Sequence, residues 1–157
     1  MKTRDRGRTK LRDIMTTPVL SLAPTEPASD ALAMMRDEHV RHAPVIEGSV
    51  ILGVVSERDL GGPYGGSVRQ HRTVGDLMRR DPVLGAPDMS LVDAAMIVRE
   101  RRIGCLPIVD AGRLLGIVTR GDLLSALADL RRTRALRARG AADIPRPPAL
   151  VSPNRAK

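Results

Sequence analysis

Hydrophobic and polar positions along the chain trace one succession of elements twice. Val19-Leu20-Ser21-Leu22 is a short apolar stretch bounded by Pro18 and Pro24, the pattern of a strand punctuated at both ends. Ala28, Ala31, Leu32, Met35 and Val40 follow at helical spacing and predict a helix from about Glu26 to His39. Pro44-Val45-Ile46 and Val50-Ile51-Leu52-Gly53-Val54-Val55 come next, with Glu47-Gly48-Ser49 as the turn between them. These runs are β-branched and continuous, as expected of strands covered on both faces. A last helix is predicted to open at Ser56. In the second copy, Val83-Leu84 lies between Pro82 and Pro87, and Leu91, Ala94, Ala95, Val98 and Ile103 predict a helix from about Met89 to Arg102. Pro107-Ile108-Val109 and Leu114-Leu115-Gly116-Ile117-Val118 flank Asp110-Ala111-Gly112. Its last helix opens at Thr119 and continues through Leu123, Leu124, Leu127 and Leu130 towards Leu136, with Gly140 as a stop.

Shifting the chain by 63 residues makes the repeat explicit: Asp13 and Met15 fall on Asp76 and Met78, Asp30-Ala31 on Asp93-Ala94, Pro44 on Pro107, Leu52-Gly53 on Leu115-Gly116, and Asp59-Leu60 on Asp122-Leu123. Two units are too few for a solenoid. They are expected to close on each other about a pseudo-twofold axis. The predicted fold class is therefore α/β (α+β): two β-α-β-β-α units, residues 11–60 and 73–130, packed as one module. Residues 1–10 form a basic tail, 61–72 a glycine-rich linker, and 131–157 a second basic tail in which Ile144-Pro145-Arg146-Pro147-Pro148 excludes regular structure. The ends and the linker are expected to be loosely held. Apolar stripes containing Met34, Met35, Ile97 and Leu127 predict a homodimer surface.

Composition narrows the function classes. With 42% hydrophobic and 28% charged residues, the 157-residue chain has the balance of a globular protein. Tyr64 is the sole aromatic residue, so the core is built from aliphatic side chains and methionine, and no aromatic platform exists for stacking exposed bases. The formal charge of +8 sits at the ends: residues 1–12 carry +5 and 131–157 carry +7, which leaves −4 for the stretch between. Contact with nucleic acid or an acidic partner is thus expected only through the tails. Cys105 is the only cysteine, which excludes an internal disulfide and a cysteine zinc site and suits a small buried hydrophobe. His39, His42 and His71 are too scattered for a metal site, and Met15, Met34, Met35, Met78, Met89 and Met96 read as core filling. No apolar run reaches the roughly 18 residues of a membrane span, and the first dozen residues lack a signal peptide's apolar stretch. Cytoplasmic location follows as the expectation. With no Ser-His-Asp or Cys-His arrangement and no phosphate-binding glycine loop, the chain is not expected to be an enzyme.

Motif order carries the reading further. Asp13-Ile14-Met15-Thr16-Thr17-Pro18-Val19, Ala43-Pro44-Val45-Ile46 and Gly53-Val54-Val55-Ser56-Glu57-Arg58-Asp59-Leu60 resemble a cystathionine-β-synthase-type domain, the CBS domain. Asp76-Leu77-Met78, Leu106-Pro107-Ile108-Val109 and Gly116-Ile117-Val118-Thr119-Arg120-Gly121-Asp122-Leu123 resemble a second one. The resemblance spans roughly residues 11–128. It implies a tandem pair that dimerises, binds an adenosine-containing ligand (AMP, ADP, ATP or S-adenosylmethionine) in clefts between the units, and regulates an attached or separate partner. No catalytic domain is expected beside this pair.

The residues offer chemistry for such a ligand. Ser56-Glu57-Arg58-Asp59 stands where a strand passes into a helix, so backbone N–H groups and the positive end of the helix dipole welcome phosphate. One carboxylate can accept from both hydroxyls of a ribose, a role the resemblance assigns to Asp59 and Asp122. It also places the hydroxyls of Ser56 and Thr119 near ribose or phosphate. Arg58 suits phosphate, and Arg120 is its less exact counterpart. Val19, Leu20, Ala43 and Pro44 in one copy, and Val83, Leu106 and Pro107 in the other, offer an apolar slot for adenine, although as core residues they need no ligand. Arg41-His42 stands where the second copy has Gly104-Cys105, which suggests unequal sites with the first richer in phosphate partners. Ser-x-x-Asp and Thr-x-x-Asp at a helix start are also capping boxes, stabilising by about 1 kcal/mol each without any ligand. Two other functions stay open on sequence grounds: a ligand-free protein interaction module, and a scaffold whose basic tail contacts nucleic acid or an acidic partner.

Overall fold

The computed structural model describes residues 9–142. A 3-10 turn at Leu11–Asp13 precedes α1 (Ala28–Asp37), β1 (His42–Glu47) and β2 (Val50–Ser56). Then come α2 (Gly66–Arg69), α3 (Val74–Leu77), β3 (Arg79–Arg80), α4 (Leu91–Arg101), β4 (Cys105–Asp110), β5 (Arg113–Thr119) and α5 (Arg120–Ala142). The β-branched runs pair as two antiparallel hairpins, β1 with β2 and β4 with β5. Each hairpin turns through a glycine with positive φ, Gly48 at 61° and Gly112 at 76°, a conformation that a Cβ disfavours. Their register shifts, between Val45 and Ile46 and between Ile108 and Val109, are again one repeat apart.

Two predicted elements take other forms. The opening strands are extended segments that touch a hairpin at one point only: Leu22 pairs in parallel with Val45 and Gly85 with Ile108. Flanking prolines lack the N–H that a longer ladder requires. The helix expected after Ser56 is a single turn. Gly61, with φ of 82°, donates its N–H to the Arg58 carbonyl, and Gly62 donates to the Glu57 carbonyl, the pair of bonds that closes a helix through a left-handed glycine. Leu124 and Ser125 occupy the equivalent places in the second copy. There the helix runs on.

Linker and tail are also more ordered than their composition suggests. Arg69 on α2 donates to the carbonyls of Leu60 and Gly62 at 2.6 and 2.8 Å, which ties the glycine-rich segment down. α5 continues past Gly140 to Ala142, so the first twelve residues of the expected basic tail are helical. The basic residues before Thr9 and the proline-rich stretch around Pro145 lie outside the described residues.

Packing crosses the repeat boundary. One core gathers Leu22, Leu32, Met35, Val45 and Val55 of the first copy, and Val74 and Met78 of the second complete it. The other gathers Leu91, Val98, Leu106, Ile108 and Val118 of the second copy and is completed by Leu11, with Ile14 and Met15 against it. Each copy's opening segment thus serves the other copy's core. Backbone bonds follow suit: β3 pairs with β2 at Arg79–Val54, while Thr16 pairs with Ile117 of β5. Small residues permit the crossing. A Cβ on Gly53 would stand 2.5 Å from the Arg79 carbonyl oxygen, and one on Gly116 would stand 2.6 Å from Met15 Sδ.

Candidate functional site

The crossing brings both strand-to-helix junctions to one cleft. Ser56, at the end of β2, receives the backbone N–H of Asp59 on its hydroxyl oxygen at 3.2 Å, and donates its own N–H and hydroxyl to Asp59 Oδ2 at 2.9 and 2.6 Å. Thr119, at the end of β5, makes the same set with Asp122 at 3.3, 2.7 and 2.8 Å. Both are complete capping boxes. Thr73 with Asp76 and Ser90 with Asp93 form similar caps, so the motif alone marks a helix start and nothing more. Position distinguishes the first pair: Ser56, Asp59, Thr119 and Asp122 all line a single cleft of about 870 Å³, within the range of roughly 300–1,000 Å³ typical of small-molecule sites.

Arg41, His42, Arg58, Arg120 and Val83 line the same cleft. The remaining candidates do not. Ala43, Pro44, Leu106 and Pro107 are buried in the two hairpins, Leu20 packs against the first core, and Val19 stands outside the cleft lining. The apolar slot proposed for adenine is therefore mostly core. Thr16, Arg79, Arg80, Arg102, Gly104 and Cys105 also line the cleft, beyond the ligand contacts that the sequence predicts. A signal existed for two of them, since Thr16 and Arg79 are one repeat apart, but only the crossed packing carries them to the junctions.

Charge in the cleft is uneven. On the first side Arg79 Nε lies 3.2 Å from Asp59 Oδ1, and Arg36 lies 3.6 Å from Glu57. On the second, Arg120 donates to the Ile103 carbonyl at 3.0 Å. Burial lowers the pKa of His42 from its ordinary 6.5; Asp59 opposes the shift, while Arg120, Arg58 and Arg79 add to it. The His42 imidazole lines the cleft and packs against Gly104, where a Cβ would collide with the ring. Burial, aided by the charge of Asp59, pushes the Cys105 thiol up to about 12, which keeps it protonated and unreactive at neutral pH. Among the described residues no group of three His, Cys, Asp or Glu side chains could hold a metal ion, and no helix is long and apolar enough to cross a membrane.

The CBS domain family model matches residues 11–60 and 74–129. The chain belongs to the CBS domain family. This CBS pair is similar to the CBS domain-containing protein YhcV of Bacillus subtilis (strain 168), at 36% identity over 114 residues that cover 72% of this chain and 81% of that protein. Among solved structures it is similar to that of CBSX2 in complex with AMP, with 31% identity and a TM-score of 0.66, covering 78% of this chain and 98% of the other. It also resembles a putative acetoin utilization protein (AcuB) from Vibrio cholerae, with 28% identity, a TM-score of 0.68 and coverage of 82% and 96%. The CBS fold accounts for the mixed α/β architecture with its two sheets.

The helix surface expected to mediate dimerisation is rearranged. Met35 is fully buried and Ile97 and Leu127 pack against the second core, which leaves Met34 alone of the predicted four exposed. Val92, Met96 and Leu124 are exposed on α4 and α5 in their place.

Proposed function

We propose that this CBS pair is a non-enzymatic regulatory module that binds an adenosine-containing ligand in the shared cleft and passes occupancy to a partner through its packing. The observation that carries the reading is the placement of two capped carboxylates, Asp59 and Asp122, on one cleft whose rim holds Arg41, Arg58 and Arg120. Carboxylate suits a ribose diol and guanidinium suits phosphate. The AMP complex of its relative CBSX2 supports the same ligand class. Exposed Met34, Val92, Met96 and Leu124 on the outer helices suit a homodimer surface, and the protein is proposed to be cytoplasmic. A thermal-shift panel of AMP, ADP, ATP, NADH and S-adenosylmethionine tests the ligand class. A true ligand at 100 times its Kd stabilises by about 2.7 kcal/mol, and no shift with any of the five would leave a ligand-free interaction module as the function.

A further inference from the structure

Asp59 and Asp122 are equivalent in sequence, in their caps and in facing the same cleft, but their second oxygens differ. In both, Oδ2 receives an N–H and a hydroxyl hydrogen from the residue three positions earlier, which uses the two lone pairs of that oxygen. Capacity for a ligand therefore rests on Oδ1. At Asp59, Arg79 Nε donates to Oδ1 at 3.2 Å. The residue one repeat before Arg79 is Thr16, and the two stand at matching points of the crossed edges, Arg79 opposite Val54 and Thr16 opposite Ile117. Threonine carries no charge to match that of Arg79. Among the described residues Asp122 Oδ1 has neither a hydrogen bond nor an ion pair.

We propose that the cleft takes one adenosine ligand per chain, with Asp122 accepting the ribose hydroxyls and Arg79 closing the Asp59 half. Arg79 is thus a specificity-determining residue: it occupies an acceptor that a ribose needs and neutralises the charge that would strengthen the bond. The inference rests on the adenosine reading of the cleft. It reverses the order of the halves suggested by Arg41 and His42, because extra cations near a carboxylate already paired to one do not restore its free oxygen.

Calorimetric titration of the full chain with AMP tests this. The parent is expected to bind one AMP per chain. Asp122→Asn should weaken that binding by roughly tenfold or more, as loss of a charged acceptor does, and Asp59→Asn should weaken it less, because that carboxylate is already paired to Arg79. Arg79→Thr, which copies the residue of the other half, should raise the stoichiometry to two, and Arg79→Gln, which removes the charge but keeps more of the side chain than threonine does, should do so if the threonine variant folds poorly. Melting of each ligand-free variant separates loss of folding from loss of binding. Two equivalents in the parent, equal losses in the two aspartate variants, or one equivalent in both well-folded Arg79 variants would overturn the proposal while the adenosine reading stands. AMP binding to none of the proteins would overturn both.

Discussion

Leu11→Ala tests the crossed packing directly, because the repeat places Leu11 in the first copy while the structure places it in the second core. Its side chain is fully buried, and its Cδ1 lies 3.2 Å from where a Cβ on Gly85 would stand. The backbone around it is pinned: Leu11 and Arg12 donate to the Met89 and Pro87 carbonyls at 3.0 and 2.9 Å, and Leu91 donates to the Thr9 carbonyl at 3.0 Å. Leu→Ala at buried sites costs about 2–5 kcal/mol, the larger values where the surroundings cannot collapse into the cavity. The neighbours here are a hairpin and the start of α4, and the turn carrying Leu11 is hydrogen-bonded on both sides, so the cavity closes only in part. We therefore expect about 3 kcal/mol, a large share of the roughly 5–15 kcal/mol that stabilises a typical domain. Urea unfolding measures the loss, and hydrogen exchange locates it: amides of β4 and β5 should lose more protection than those of β1 and β2. A loss below about 1 kcal/mol, well under the range for filled cores, or faster exchange confined to β1 and β2, would refute the crossed arrangement.

Two further predictions follow from the cleft and the ends. Because burial lowers the pKa of His42, the unfolded chain takes up the proton first on acidification, so the His42 contribution is complete above pH 6.5 and is lost as the pH falls below it; His42→Gln should flatten the stability profile between pH 7 and 5, and an unchanged profile would rule the imidazole out. Arg131, Arg132 and Arg134 are exposed on the part of α5 beyond the second core, so a chain trimmed to residues 9–130 should keep its melting temperature and AMP affinity while its heparin retention becomes less salt-dependent; a fall in melting temperature would make the helical extension structural. The trim begins at Thr9 because its carbonyl accepts the N–H of Leu91.

The repeat, the two hairpins, helices α1 and α4, and the pairs Ser56–Asp59 and Thr119–Asp122 can all be read from the sequence. Each depends on residues near one another in the chain: a period of apolar positions, a glycine turn, a cap three residues from its partner. The sequence also carries the reason α5 outlasts its counterpart, since Gly61 and Gly62 have no equivalent in the second copy, but glycine-rich composition suits a linker as well as a helix stop. Tertiary structure alone decided what lies opposite what. Leu11 and Val74 resemble any other apolar residues of their own repeat until the opening segments cross, and Arg79 is one arginine among many until β3 lays it beside Asp59. Ala43, Pro44, Leu106 and Pro107 are buried in their hairpins, while the crossing gathers both capped aspartates on one cleft. Burial and opposition depend on contacts between distant residues, which a local pattern does not encode.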